Sequence, residues 1–370
     1  MVTLADIFEQ HGAAYQQQFN DRMLPGHRRA MRDITACRTE VMGGHVYTCP
    51  PCDHTAYFYH SCRNRHCPQC QGDKAQQWLA RQEEMRLPVP YFLLTFTLPS
   101  ELRPLARRQQ KLFYNLLFRT SAAATQALAQ DPRLLGGSIG MVGVLHTWGR
   151  ELPYHPHVHY LVPAGAWDPF SMIWRPCRYK RFLLPVKALS ILFRAKFRDA
   201  LKQSDCFDRI PAAVWRKDWV VDCRAVGGGK QALKYLAAYV FRVAISNRRL
   251  VSCSEDEVSF RVRPSGSKQW RLCTLPAMEF IRRFLQHVLP KGFVKVRYYG
   301  FFSPGLRRVL TQIRDFLTPY PVSAAPKKEP AQESQAESSA APGWLRCPLC
   351  GRPMQHTRTI PGRKQRWQPP

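Results

Sequence analysis

Residues 152–162 read LPYHPHVHYLV and set His155, His157 and His159 in alternation. The run from His157 to Val162 is rich in strand formers, and on a strand positions i and i+2 share a face. His157 and His159 are therefore expected side by side, with Val158 and Tyr160 turned the other way. Two imidazoles so placed can hold one divalent ion and leave coordination positions open to a substrate oxygen. Three polar positions on an exposed sheet face would give the same pattern, so its meaning depends on what else the chain supplies.

About 75 residues downstream, Gly229 to Asn247 reads GKQALKYLAAYVFRVAISN after a glycine run at 227–229, and its apolar spacing predicts a helix. Tyr235 and Tyr239 lie four apart and so share one face, a turn from each other. Tyrosine pairs at this spacing usually pack a core. A nucleophilic role needs a metal nearby, which the histidine strand can provide.

At this point the residues carry a resemblance. His157-Val158-His159 followed by Tyr235-x3-Tyr239 resembles the two-tyrosine HUH endonucleases. CRNRHCPQCQ at 62–71, HTWG at 146–149, HPHVHYLVPAGA at 155–166 and YLAAYVFRVAISNRRL at 235–250 together resemble the insertion sequence 91 family of transposases, over roughly residues 30 to 300. The resemblance implies that His157 and His159 hold Mg2+ or Mn2+, with His146 of HTWG as third ligand and His155 as the alternative. It implies that Tyr235 or Tyr239 attacks a DNA phosphate and forms a 5'-phosphotyrosine. The implied partner is single-stranded DNA at the ends of the chain's own element and at target sites, in rolling-circle transposition.

Composition agrees with a polyanionic partner. The 370 residues carry 55 Lys+Arg against 26 Asp+Glu, a net charge of +29, while 45% hydrophobic residues suffice for a real core. No apolar run approaches a membrane span and the N-terminus lacks a signal-peptide pattern, so a cytoplasmic setting is expected. The 13 cysteines are then expected to be thiols and metal ligands rather than disulfides.

Six of these cysteines crowd into residues 37–70. Cys49-x2-Cys52 and Cys67-x2-Cys70 have the spacing of two knuckles closing on one tetrahedral zinc, and Cys37, Cys62, His45 and His66 are surplus ligands that could fill a second site. Such a module gains its folding energy from the metal and would present Arg38, Arg63 and Arg65 to DNA. Near the other end, Cys347-x2-Cys350 with His356 is half a knuckle.

Between them the pattern predicts an α+β fold. A zinc-binding and DNA-binding module spans residues 1–87, followed by a catalytic domain over 88–300. The expected elements include a strand at 91–98, one helix over 101–130, strands at 139–147 and 156–163, a helix at 186–202 and a strand at 218–226. That order suggests an antiparallel sheet with helices on one face, a ferredoxin-like arrangement. A helix at 301–320, a disordered linker at 321–343 and a CxxC tail at 344–370 complete the chain. Lys234, Arg242, Arg248 and Arg249 flank the tyrosine helix and could hold a strand through its phosphates.

Two other functions fit parts of the pattern. A replication initiator or relaxase would share the mechanism and differ in its DNA. A zinc-dependent DNA-binding regulator without chemistry would need only the cysteines and the charge, and would leave the histidine run and tyrosine pair unused.

Overall fold

The computed structural model describes residues 1–240, 244–264, 267, 269–318 and 345–362, without the side chains of Ala238 and Tyr239. The expected linker at 321–343, Arg242 and the ends of the C-terminal helix and tail lie outside the described residues. The chain begins with α1 (Leu4–Phe19) and α2 (Pro25–Thr35), the hairpin β1 (Gly44–Thr48) and β2 (Thr55–Tyr59), and α3 (Gly72–Met85). Next come β3 (Tyr91–Thr97), α4 (Arg103–Arg108), α5 (Gln110–Gln130), β4 (Met141–Trp148) and β5 (Tyr154–Pro163). The short strands β6 (Gly165–Asp168) and β7 (Ile173–Pro176) precede α6 (Val186–Leu201), β8 (Val221–Ala225) and α7 (Lys230–Val240). The remainder is β9 (Leu250–Cys253), β10 (Glu257–Val262), β11 (Arg271–Pro276), α8 (Ala277–Leu285), β12 (Val296–Tyr299), α9 (Arg307–Leu317) and β13 (Gln355–Ile360).

The central sheet has the order β12-β4-β5-β3-β8, and every pairing in it is antiparallel. The mixed α+β class is thus as the pattern suggested, with the histidine strand β5 in the middle. One face of β3 and β5 carries Phe92, Leu94, Phe96, Val158, Tyr160 and Val162, all buried beneath α5 and α6. The other face carries Tyr91, Val144 and Leu161, which pack against Ala232, Leu233 and Leu236 of α7. Helices therefore cover both faces, where a single covered face was expected. The reason is that Leu161, Val144 and Leu93 give the second face enough apolar surface to need a cover of its own.

Residues expected to form one helix from 101 to 130 form two, because Gln109 leaves helical geometry (φ −121°, ψ 51°). Gln110, just past the break, is buried and donates to the Gln286 carbonyl at 3.2 Å. Nor does the N-terminal segment stand apart. Leu4, Ile7 and Phe8 of α1 share a core with Phe260, Phe280 and Phe284, the Phe8 and Phe284 rings meeting edge-on at 5.6 Å. The tail is likewise joined to the start of the chain, since β13 pairs with β1 to give the sheet β13-β1-β2.

Phe96 is fully buried between Tyr160 (5.9 Å between centroids) and Phe193 (5.2 Å). Phe96→Ala should cost about 3–5 kcal/mol, read from urea unfolding, through lost transfer energy and the cavity left behind. A cost under about 1 kcal/mol would mean that this layer is not the packed core described.

Candidate active site and metal centres

The site is built on two adjacent strands. In the β4–β5 register His146 lies opposite His157, and Val144 opposite His159. Strand alternation keeps His157 and His159 on the face opposite Val158 and Tyr160, as the sequence requires. The three rings converge, with centroids 5.2 Å apart for His146–His157, 4.5 Å for His146–His159 and 4.8 Å for His157–His159. One ring nitrogen from each lies within 4.8 Å of the others, a grouping that could hold a metal ion.

Neighbouring groups set the tautomers. The His157 Nδ1–H donates to the His155 carbonyl at 2.6 Å, leaving Nε2 with its lone pair for a ligand. His159 Nδ1 meets the Thr95 hydroxyl at 2.8 Å, which orients that ring in the same way. Burial holds His146 and His159 well below the usual imidazole range and brings His157 down to about 4. All three are therefore neutral at pH 7, the form that binds metal. His155, the alternative third ligand, is engaged elsewhere: Arg103 Nη2 donates to its Nδ1 at 2.6 Å, and it lies outside the converging trio.

The connection between the two strands is pinned from below. Leu152 is fully buried with φ 64°, a left-handed conformation costly for a leucine. Its carbonyl accepts from Gln286 Nε2 at 2.8 Å and from His287 Nε2 at 3.1 Å. Trp148 stacks on His146 at 5.4 Å, and Lys295 sits 5.0 Å over the Trp148 ring. Lys295 is brought down to about 7, mainly by burial and secondarily by Arg65.

Helix α7 lies across this face and brings Tyr235 to the trio. Its ring centroid is 6.1 Å from that of His159 and 6.4 Å from that of His146, while 44% of the residue remains exposed. The Tyr239 side chain lies outside the described residues. Thr95, Arg103 and Lys295 were not singled out in the sequence. Thr95 could have been, since it breaks the apolar run YFLLTFT at a position that pairs with His159.

Beside the site runs a cleft of about 1360 Å³, bordered by Val240 at the end of α7 and by Lys295. Arg29, Arg63, Lys74, Arg107, Arg108 and Lys111 line it, with no carboxylate among the lining residues. Of the expected DNA contacts, Arg63 lines this cleft and Lys234 and Arg248 are exposed. Arg65 also lines it, but its guanidinium donates to the Phe293 carbonyl at 2.6 Å. Arg249 reaches the carbonyls of Arg261 (2.8 Å) and Arg150 (2.9 Å), so both of these arginines tie the fold together.

The cysteines are grouped differently from the expectation. Cys37, Cys62, Cys67 and Cys70 form one cluster of thiols, and Cys49 and Cys52 form another with Cys347 and Cys350. Hairpin geometry is the reason. Cys49 and Cys52 lie at the tip of β1–β2, whereas Cys37 and Cys62 flank its base, about 16 Å away for five residues of strand. His66 joins neither cluster; it is buried and accepts from the Leu289 N–H at 3.1 Å. His45 packs edge-on against His60 (5.0 Å) and His356 (5.4 Å), and His356 is no part of the tail's thiol group. In the first cluster the Asn64 N–H points at Cys62 Sγ (3.4 Å) and the Cys62 N–H at Cys37 Sγ (3.5 Å), contacts that favour thiolates. Four thiols so arranged fit a tetrahedral zinc.

Comparison with known proteins bears on this arrangement. Residues 140–309, which contain the histidine trio and Tyr235, match the family described as "Putative transposase"; residues 7–98 match the "Transposase zinc-binding domain". A Sinorhizobium fredii protein named "Putative transposase y4qJ" is 39% identical, over 94% of this chain and 92% of its own length. The chain belongs to the insertion sequence 91 family of transposases. A second relative, named "Transposase for insertion sequence element IS801" and from Pseudomonas savastanoi pv. phaseolicola, is 28% identical over 89% of this chain and 83% of its own length. No solved structure matches the chain. Membership makes it a DNA-processing, DNA-binding protein whose cysteine clusters support structural zinc. No helix among the described residues is long and apolar enough to cross a membrane.

Burial of His157 has a measurable consequence. An imidazole at about 4 in the folded state and near 6.5 when unfolded leaves stability flat above pH 6.5, because both states are then neutral. As pH falls from 6.5 towards 4 the unfolded chain takes up the proton first, and stability is lost. Proton-detected titration of the metal-free protein should show a His157 midpoint near 4. A midpoint near 6.5 would contradict the buried environment.

Proposed function

We propose that this transposase cleaves and rejoins single-stranded DNA, with Tyr235 as nucleophile and a divalent ion, Mg2+ or Mn2+, held by His146, His157 and His159. The observation that carries the reading is the approach of an exposed tyrosine ring to three neutral, converging imidazoles. When bound there, the ion supplies Lewis acidity toward a phosphate oxygen. The chain supplies the rest. Thr95 and the His155 carbonyl hold two of the rings, and α7 fixes Tyr235 beside them.

The Tyr235 Oη forms a bond to phosphorus as the bond from phosphorus to the 3'-oxygen breaks. The phenolic proton is lost to solvent and the departing 3'-oxygen regains one, leaving a 5'-phosphotyrosine and a free 3'-hydroxyl. Conservation of the phosphoester in the protein link is what allows rejoining. Tyr239, one turn along α7, is the candidate second nucleophile, suited to holding a second DNA end. The cleft, whose charged lining residues are all basic, fits the path of a strand to the site. A DNA-binding role without chemistry would give no use to the tyrosine beside the imidazoles.

Incubation with single-stranded oligonucleotides from the ends of the element tests this directly. Tyr235→Phe should abolish the covalent adduct, by at least about 100-fold, while leaving strand binding intact. A Tyr235→Phe protein that still forms the adduct, lost only with Tyr239→Phe, would move the attacking role to Tyr239. Full activity in the double variant would end the proposal.

A second measurement addresses the cleft. Replacing Arg107, Arg108 and Lys111 with Ala should weaken binding of single strands of any sequence and lower the slope of log K against log salt by about 2. An unchanged slope would place the strand elsewhere.

A further inference from the structure

The thiols of Cys49, Cys52, Cys347 and Cys350 come together from opposite ends of the chain, their sulfurs all within 4.8 Å of one another. Cys49 Sγ and Cys350 Sγ are 3.5 Å apart, although 301 residues separate them in sequence. That spacing is far too long for a disulfide, and close to the roughly 3.8 Å between sulfurs on a tetrahedral zinc with 2.3 Å bonds. All four cysteines are free thiols.

The two half-sites are built alike. In the first, the Cys49 N–H donates to the His54 carbonyl at 2.9 Å, and Asp53, following Cys52, is left-handed at φ 50°. In the second, the Cys347 N–H donates to the Arg352 carbonyl at 2.8 Å, and Gly351, following Cys350, is left-handed at φ 71°. Each half is thus a Cys-x2-Cys turn closed by a bond from i to i+5, with the residue after the second cysteine in the same conformation. Two such turns facing each other make the fourfold thiolate cage of a structural zinc site.

Hydrophobic burial cannot explain why the tail is there. Of residues 345–362 only Cys347 and Met354 are buried, and Leu349 is largely exposed. Pairing of β13 with β1 adds backbone bonds along a single edge, a Thr357 hydroxyl bond to the Val46 carbonyl at 3.1 Å, and half-exposed side-chain contacts of His356 with His45 and Tyr47 and of Thr359 with His45. An edge of that size with two buried side chains does not hold a segment in place by itself.

We propose that a second structural zinc, bound by Cys49, Cys52, Cys347 and Cys350, clamps the C-terminal tail to the N-terminal hairpin and makes the two ends of the chain one module. The zinc-binding family match ends at residue 98 and the transposase match at 309, so neither reaches Cys347. The first cluster, Cys37, Cys62, Cys67 and Cys70, is complete without the tail.

Metal analysis of the whole purified chain should give two zinc ions, and Cys347→Ser with Cys350→Ser should leave one. Cobalt substitution reads the same site independently: the visible bands of tetrahedral thiolate-bound cobalt should fall to about half in that variant. For the clamp itself, a specific protease site is placed between Ala331 and Ser334. After cutting, the tail fragment should co-elute with the body of the zinc-loaded protein, and should separate from it in the double-serine variant. One zinc in the unaltered chain, two in the variant, or a cut tail that stays attached without the second zinc would each overturn the clamp. None of these readouts depends on DNA cleavage.

Discussion

The pleat of β5 is the constraint from which the rest of the molecule follows. Because neighbouring side chains on a strand point to opposite faces, one strand of ten residues serves two purposes at once. Val158, Tyr160 and Val162 enter the large core under α5 and α6; His157, His159 and Leu161 face α7. The Tyr160 hydroxyl, deep in that core, is satisfied by Ser121 at 2.8 Å and the Phe118 carbonyl at 3.0 Å. A slip of one residue in register would bury the imidazoles among phenylalanines and expose the core face. The position of the histidines is therefore enforced by core packing on the far side of the sheet.

How much of this was legible in the sequence differs by feature. The histidine face and the tyrosine helix were readable because both rest on local periodicity, which the chain states outright. The antiparallel sheet and its central strand followed from element order. The cover on the second face did not, because α3 and α7 carry many polar residues and their packing rests on a few side chains such as Trp78 and Leu233. The cysteine pairing was misread for a different reason. Spacing gives ligand pairs but not which pairs meet, and the partner of Cys49 and Cys52 lies about 300 residues away. Arg65 and Arg249 show the same limit for charge: sequence marks them as cations, and only the fold reveals carbonyls within reach.

Electrostatics and burial work together around the site. The charged residues that line the cleft are all basic, although Arg29 is paired with Asp33, and such a gathering of cations is tolerated by a folded protein when a polyanion is its counterpart. At the inner end of that cleft Lys295 is buried and lies over Trp148, which in turn stacks on His146. The imidazoles stay neutral in this basic setting because burial and neighbouring positive charge act in the same direction. A neutral ligand set beside a cationic wall is a suitable surrounding for a phosphate diester and a divalent ion together.

The meeting of the first and last thiol pairs also orders events in time. During synthesis Cys49 and Cys52 are made long before Cys347 and Cys350, so the hairpin tip lacks its two partner sulfurs until the tail has been made. A nascent chain, or one shortened ahead of Cys347, would carry a half-empty thiol pair open to oxidation or to stray soft metals. Closure of that pair is thus a molecular record that translation has passed residue 350.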